Sequence, residues 1–378
     1  MKSRARDLCD RFGYPEELVG ILEGVVEIAL EHLGDVRSIV LSPSISTGDF
    51  LWNQFDPDQH LLSDVDGFIY LDGRVPDSSA YDAAIGRLTE GVGGSMFHID
   101  LALNSARVLG HLPETYQFVE TGLAGFVLYG EPVLDRFPKK FDPRASRQAF
   151  LINLFKPLGQ AFLLDEPSGV AQAAARLILD IPILAASEQG RCIVGHSARA
   201  RWFLDARPTP MGQDQTIRAA VEAARDARES RRGSSATLEP LLHAAIPRVV
   251  SLLDGRGEFS SDPDRELVER LSSWLPPRTP RRLIGEGRTL LRRPTGPLED
   301  LRWLIHRKEA SAGAALLGLF AYLASGADGR PPSGIRARLQ EFARRDCSDN
   351  EGLAFVRSAC HVYSEGLFEL YPSLHDGA

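Results

Sequence analysis

Cysteine is scarce in this chain and never clustered. Cys9, Cys192, Cys347 and Cys360 lie far apart, with no Cys-x-x-Cys pair. That spacing speaks against a disulfide framework and a thiolate zinc site, and fits reduced thiols. Long apolar runs are lacking too. The longest, such as Ala312 to Ala324, fall short of the roughly 20 residues a membrane helix needs. The stretch from Met1 to Gly13 runs into a charged helix with no apolar segment and no small-residue cleavage site. No signal peptide is expected, and the chain reads as cytoplasmic with no membrane partner. Lysine is nearly absent, five residues among 43 basic ones, so arginine is the default cation and a local arginine cluster carries less information than usual. Positive charge is in deficit overall. Against 51 Asp and Glu, the 43 Lys and Arg leave a net charge of −8, the wrong sign for a general binder of nucleic-acid backbone.

What is present suffices for two or three domains. The 378 residues are 43% hydrophobic and 25% charged, which supplies a full core and excludes global disorder. Apolar residues at helical spacing follow Pro15, through Leu18, Ile21, Leu22, Val25, Ile28 and Leu33, and predict a helix ending at Gly34-Asp35. Strands are expected at Val36 to Leu41, Val65 to Leu71 and Met96 to Leu103, with a helix at Ser79 to Gly91. From about Arg144 the strand signal vanishes. Helices are expected at Gln148 to Leu164, Val170 to Glu188, Ser197 to Leu204, Thr216 to Arg231 and Leu238 to Leu253, and further on to Leu370. Asp226 to Ser235, polar and poor in apolar residues, reads as a linker. The fold class is α+β, a small mixed sheet followed by helical regions.

The informative stretch is Ser63-Asp64-Val65-Asp66-Gly67-Phe68. Aspartates two apart on a strand project from one face. Carboxylates that close repel, and both stay ionised when a cation sits with them. A hard ion with oxygen ligands, such as magnesium, suits them. Asp100, within Phe97-His98-Ile99-Asp100-Leu101, adds a third acid on another strand. Three acids on adjacent strands are the usual protein share of a two-metal phosphoryl-transfer site. Upstream, Ser42-Pro43-Ser44-Ile45-Ser46-Thr47-Gly48-Asp49 is a small, hydroxyl-rich turn after a strand, able to aim N–H groups and the Ser44 hydroxyl at a phosphate. Asp49 suits that turn and a helix cap equally.

Taken together, Pro43 to Asp49, then Ser63-Asp64-Val65-Asp66, then Ile99-Asp100-Leu101 resemble the signature of the polymerase-β-type nucleotidyltransferases. Gly125 to Leu134 is similar to the segment that leads into a helical bundle in aminoglycoside adenylyltransferases of the streptomycin/spectinomycin type. Ala174 to Arg191 and Ile193 to Trp202 resemble a helix pair of that bundle. The likeness covers about residues 10–230. It implies a nucleotidyltransferase catalytic domain at 1–142, a helical bundle closing the nucleotide site at 143–235, and an additional helical domain at 236–378. It also implies transfer of a nucleoside monophosphate from an NTP such as ATP to an acceptor hydroxyl, with two Mg2+ ions as cofactors. Asp64, Asp66 and Asp100 would be both catalytic residues and metal ligands. Ser44, Asp49, Arg191 and His196 would contact the nucleotide, with His196 at a place where such bundles tend to carry a lysine.

Two departures stand out. Pro43 replaces the usual glycine and removes an N–H donor, and Ser44 and Asp64 lie 20 positions apart, a long gap filled from Phe50 to His60. A nucleotide-binding regulator without turnover is therefore kept as an alternative. For the acceptor, a small hydroxylated molecule ranks ahead of RNA or protein. The run Arg278 to Glu309, with nine basic and four acidic residues, keeps RNA in view, although a solvated arginine-rich face accounts for it as well.

Overall fold

The computed structural model describes residues 3–51, 63–93, 98–147, 149–150, 167–207, 209–230 and 235–257, together with 266, 270, 271, 273 and 274. All of the expected helix at Gln148 to Leu164 except residues 149–150, most of the Phe50 to His60 insertion, and everything beyond 274, including the Arg278 to Glu309 run, fall outside these residues. By compactness the described chain divides in two. One unit gathers the residues up to Ser146 and Ala186–Arg201; the other holds Arg147–Ala185 and the residues from Trp202 onward. Residues 186–201, expected within the bundle, thus group with the sheet.

The first unit is mixed α and β. Helix α1 (Ala5–Phe12) ends where Gly13 turns left-handed, at φ 68°, and its N–H closes on the Cys9 carbonyl. Helix α2 (Glu16–His32) starts after Pro15, which leaves no N–H to satisfy, and buries Leu18, Ile21, Leu22, Val25 and Ala29 at helical spacing. Strand β1 (Val36–Leu41) leads into a four-residue helix, α3 (Pro43–Ser46). Strand β2 (Val65–Leu71), helix α4 (Ser79–Gly93) and strand β3 (Ile99–Ser105) follow. Helix α5 (Tyr116–Ala124) and strand β4 (Phe126–Gly130) complete the unit.

The four strands form one sheet in the order β3-β2-β1-β4. β1 runs antiparallel to both β2 and β4, while β2 and β3 are parallel and joined through α4. Alternation sorts the side chains onto two faces. Ile39, Leu41, Val65, Ile69, Leu71, Leu101 and Leu128 join α1, α2 and α4 in one core. Val40, Phe68, Tyr70 and Val127 join Phe118 of α5, Val133 and Phe137 in a second. Arg4 covers the outer edge of β4, where its N–H donates to the Leu128 carbonyl at 2.9 Å and its guanidinium lies over the Phe126 ring. Strand contact is tightest at Gly130, where a Cβ would stand 2.0 Å from the Arg37 carbonyl oxygen, and nearly as tight at Gly67, 2.2 Å from that of Val40.

Strand β3 is described from Ile99 to Ser105, two residues past its expected end, and Met96 and Phe97 lie outside the described residues; helix α5 and strand β4 were not anticipated. Every described element from 167 to 254 is helical: α6 (Pro167–Glu188), α7 (His196–Ala206), α8 (Pro210–Gln213), α9 (Gln215–Ser230) and α10 (Ser235–Asp254). The expected linker from Asp226 is helical as far as Ser230. Arg225 ties that polar face together, reaching Asp226 at 2.8 Å and both Glu222 and Glu229 at 3.9 Å. No helix among the described residues is long and apolar enough to cross a membrane.

Candidate active site

The register of the sheet fixes where the acids stand. Asp66 pairs directly with Asp100 across the parallel β2–β3 ladder. In-register residues of parallel strands point to the same face, about 4.8 Å apart. Phe68 and Tyr70, two and four residues beyond Asp66, lie in the α5-side core, and Leu101, next to Asp100, lies in the opposite one. Both carboxylates therefore occupy the α5 face, at the end where β2 and β3 begin. Asp64 precedes β2 and is half-buried, as is Asp66; Asp100 is exposed. The pairing continues past the strand ends, since the Val65 N–H donates to the His98 carbonyl at 2.9 Å.

On the other side of Asp66 stands a residue that sequence reasoning passed over. The Ser42 N–H donates to the Asp66 carbonyl at 2.8 Å, one step beyond the Leu41–Gly67 pair. Ser42, Asp66 and Asp100 thus form a transverse row over three strands. The Ser42 and Ser44 hydroxyls are 3.1 Å apart. This serine was visible in the hydroxyl-rich turn, but only the β1–β2 register could single it out.

The turn itself is helix α3, with Pro43 buried at its first position, where a missing N–H costs nothing to the helix. Thr47 donates to the Pro43 carbonyl at 2.8 Å, and the Ser46 hydroxyl hydrogen-bonds the Ala124 carbonyl at the end of α5. Leu51 and Ser63 clasp one another: the Leu51 N–H donates to the Ser63 hydroxyl at 2.9 Å, and the Ser63 N–H to the Leu51 carbonyl at 3.2 Å. Phe50 is buried beside Tyr14.

Asp49 faces α7. Its Oδ2 accepts from the Ser197 N–H at 3.4 Å, and it lies against Gly195, where a Cβ would stand 2.4 Å away. This contact caps a helix whose Ser197 lies 148 positions away in sequence. Gly195 has φ 86°, so both conformation and space require glycine there.

His196 opens α7, and its Nδ1 lies 3.0 Å from Nη2 of Arg199. Arg199 is 1% exposed and makes an ion pair with Glu120, itself 8% exposed. Glu120 Oε1 also accepts from the Gly195 N–H at 2.8 Å, and Arg199 Nη1 donates to the Ile193 carbonyl at 3.3 Å. Tyr116 completes the knot: its hydroxyl donates to the Ile193 carbonyl and accepts from the Ile193 N–H, while the Arg199 guanidinium lies over its ring. Tyr116 and Glu120 are four apart on α5 and so share a face, the one signal in the sequence that could have paired them. Cys192 sits beside this knot, and burial pushes its thiol up to about 11. Arg191 is exposed.

Comparison with protein-family models, curated proteins and solved structures finds no match. The chemistry of the site must then be read from its own residues. Asp64, Asp66 and Asp100 offer only carboxylate oxygens, the donor type a hard divalent cation takes. Among the described residues, no three or more His, Cys, Asp or Glu side chains already stand in metal-holding geometry. What the fold supplies is adjacency: two carboxylates in register and a third two residues before one of them.

Proposed function

We propose that the chain is a metal-dependent nucleotidyltransferase, with a small mixed-sheet nucleotidyltransferase core followed by helical domains. The observation that carries this is the row of Ser42, Asp66 and Asp100 beside the Ser44 turn, with anionic ligands next to hydroxyl donors at one end of the strands. Asp64, Asp66 and Asp100 would hold two Mg2+ ions. When bound, these would neutralise the triphosphate and polarise the acceptor oxygen. The chain's own residues do the rest. Ser44 and the N–H groups around it bind the outer phosphates. Asp100, exposed at the row's end, orients the acceptor hydroxyl and takes its proton as the oxygen attacks the α-phosphorus. The bond from that phosphorus to the bridging oxygen breaks, and pyrophosphate leaves. Most of the acceleration comes from positioning and fixed charge.

The acceptor is a small hydroxylated molecule, in keeping with a net charge of −8 that repels polyanions and recruits neutral or cationic ones. Incubation with magnesium, each of four labelled NTPs and a panel of small-molecule and RNA acceptors tests the reading. A labelled small-molecule product and pyrophosphate are expected. A second reading, nucleotide binding without turnover, draws on the buried Pro43 and on the engagement of Asp49 with α7. Under that reading the same assay shows saturable NTP binding and no product.

A further inference from the structure

The turn after β1 carries four hydroxyls, those of Ser42, Ser44, Ser46 and Thr47. Two are taken up by backbone: Thr47 donates to the Pro43 carbonyl at 2.8 Å, and Ser46 hydrogen-bonds the Ala124 carbonyl. The hydroxyls of Ser42 and Ser44 have only each other among the described residues, Oγ to Oγ at 3.1 Å. Pro43 between them has no N–H to add.

Burial decides which of the two donates. Ser42 is 7% exposed, whereas Ser44 is half-buried. Each hydroxyl has one proton and two lone pairs. Were Ser44 the donor, the Ser42 proton would be shut away without an acceptor, and a buried donor left unsatisfied loses more than one hydrogen bond returns. With Ser42 as donor, its proton is used. The Ser44 proton then stays at the more open position, where water or a ligand can take it.

The pair also stands on the strands that carry the acids. Leu41 pairs with Gly67 across the antiparallel β1–β2 ladder, and one step on the Ser42 N–H donates to the Asp66 carbonyl at 2.8 Å. Opposed residues of antiparallel strands share a face, so Ser42 lies on the side of Asp66, which is itself in register with Asp100.

We propose that Ser42 is a positioning residue: its hydroxyl donates to Ser44 Oγ and thereby turns the Ser44 proton toward the outer phosphates of an NTP. This rests on the nucleotidyltransferase reading of the turn. Ser42 itself touches no phosphate and acts through Ser44. A hydroxyl that accepts one hydrogen bond also becomes a better donor of the next.

A double-mutant cycle on the full chain decides it. The Kd of each of the four magnesium–NTPs is measured by equilibrium dialysis, with labelled product followed in the same samples. For an NTP that binds, Ser44→Ala should weaken binding about tenfold or more, the loss of a hydrogen bond to a charged group, and Ser42→Ala about fivefold. In Ser44→Ala protein the further change Ser42→Ala should cost less than about twofold, because the partner through which it acts is gone. Factors that multiply, or a Ser42→Ala protein that binds like the wild type, overturn the proposal. Should Ser42→Ala fail to fold, Ser42→Thr and Ser42→Val give a second comparison. Both carry the same branch, so any packing cost is common, and only threonine keeps the donor. Valine should bind NTP about fivefold more weakly than threonine; equal binding by the two overturns the proposal. Product without coupling keeps the nucleotidyltransferase reading and discards the role of Ser42. Coupling without product does the reverse, leaving Ser42 its role in a protein that binds nucleotide without turnover. No binding of any NTP by the wild type overturns both.

Discussion

At the scale of single residues, Asp66 is where the proposed chemistry concentrates. It has Asp100 on one side and Ser42 on the other, and its carboxylate shares a face with Asp100. Asp66→Asn is expected to abolish metal-dependent transfer, by at least on the order of 100-fold, the upper end of the loss seen when only a metal ligand's partner is removed. It should leave the fold intact and its Tm in metal-free buffer at or above that of the wild type, because a like-charge neighbour has been neutralised. Undiminished transfer by this variant, checked by release of labelled pyrophosphate, would contradict the assignment. Cys192 sets a second expectation. Burial first, and the charge of Glu120 next, move its thiol from the ordinary 9.0 up to about 11. The reactive thiolate is thus about 100-fold rarer at pH 8 than for a free cysteine, and iodoacetamide labelling of its peptide should be slow at that pH and climb until near pH 11. Rapid labelling at pH 8, followed by mass spectrometry, would show that the knot around Tyr116 opens.

At the scale of elements, the coupling of α3 to α7 through Asp49 invites a capping test. Asp49→Ala should cost about 1 kcal/mol in urea unfolding and Asp49→Asn much less, since asparagine caps as well as aspartate. A large rise in KM for NTP in Asp49→Asn, with stability unchanged, would return this residue to the nucleotide. Much of this architecture was legible in the sequence. Strands Val36–Leu41 and Val65–Leu71 could be read because apolar residues run between clear turn signals. Helix α2 could be read from its period. Strand β4 could not: Phe126–Gly130 is short and half-exposed, and only pairing with β1 makes it a strand. The three acids could be named, but their adjacency depends on the parallel β2–β3 register, which no local pattern encodes. The Glu120–Arg199 pair was hidden for a related reason, since its partners lie 79 positions apart.

At the scale of the whole molecule, net charge governs encounter. With −8 overall, binding to a generic RNA at physiological salt is expected to be weak, and filter binding over a salt series checks this. Tight binding that falls by about one log unit in affinity per log unit of salt for each phosphate contacted, and that Arg292→Ala with Arg293→Ala reduces, would favour a nucleic-acid acceptor. The clasp between Leu51 and Ser63 bears on how such a chain can change over generations. With those two residues hydrogen-bonded to one another, the ends of the interval at 52–62 are already held together, and Ser63 hands the chain directly to β2. Doubling the length of a closed loop costs only about 0.6 kcal/mol. Changes in the length of the interval are therefore expected to cost little while the clasp holds Ser63 in place ahead of Asp64 and Asp66. Natural variation and engineered insertion should both concentrate there, bounded on each side by two positions that hydrogen-bond each other.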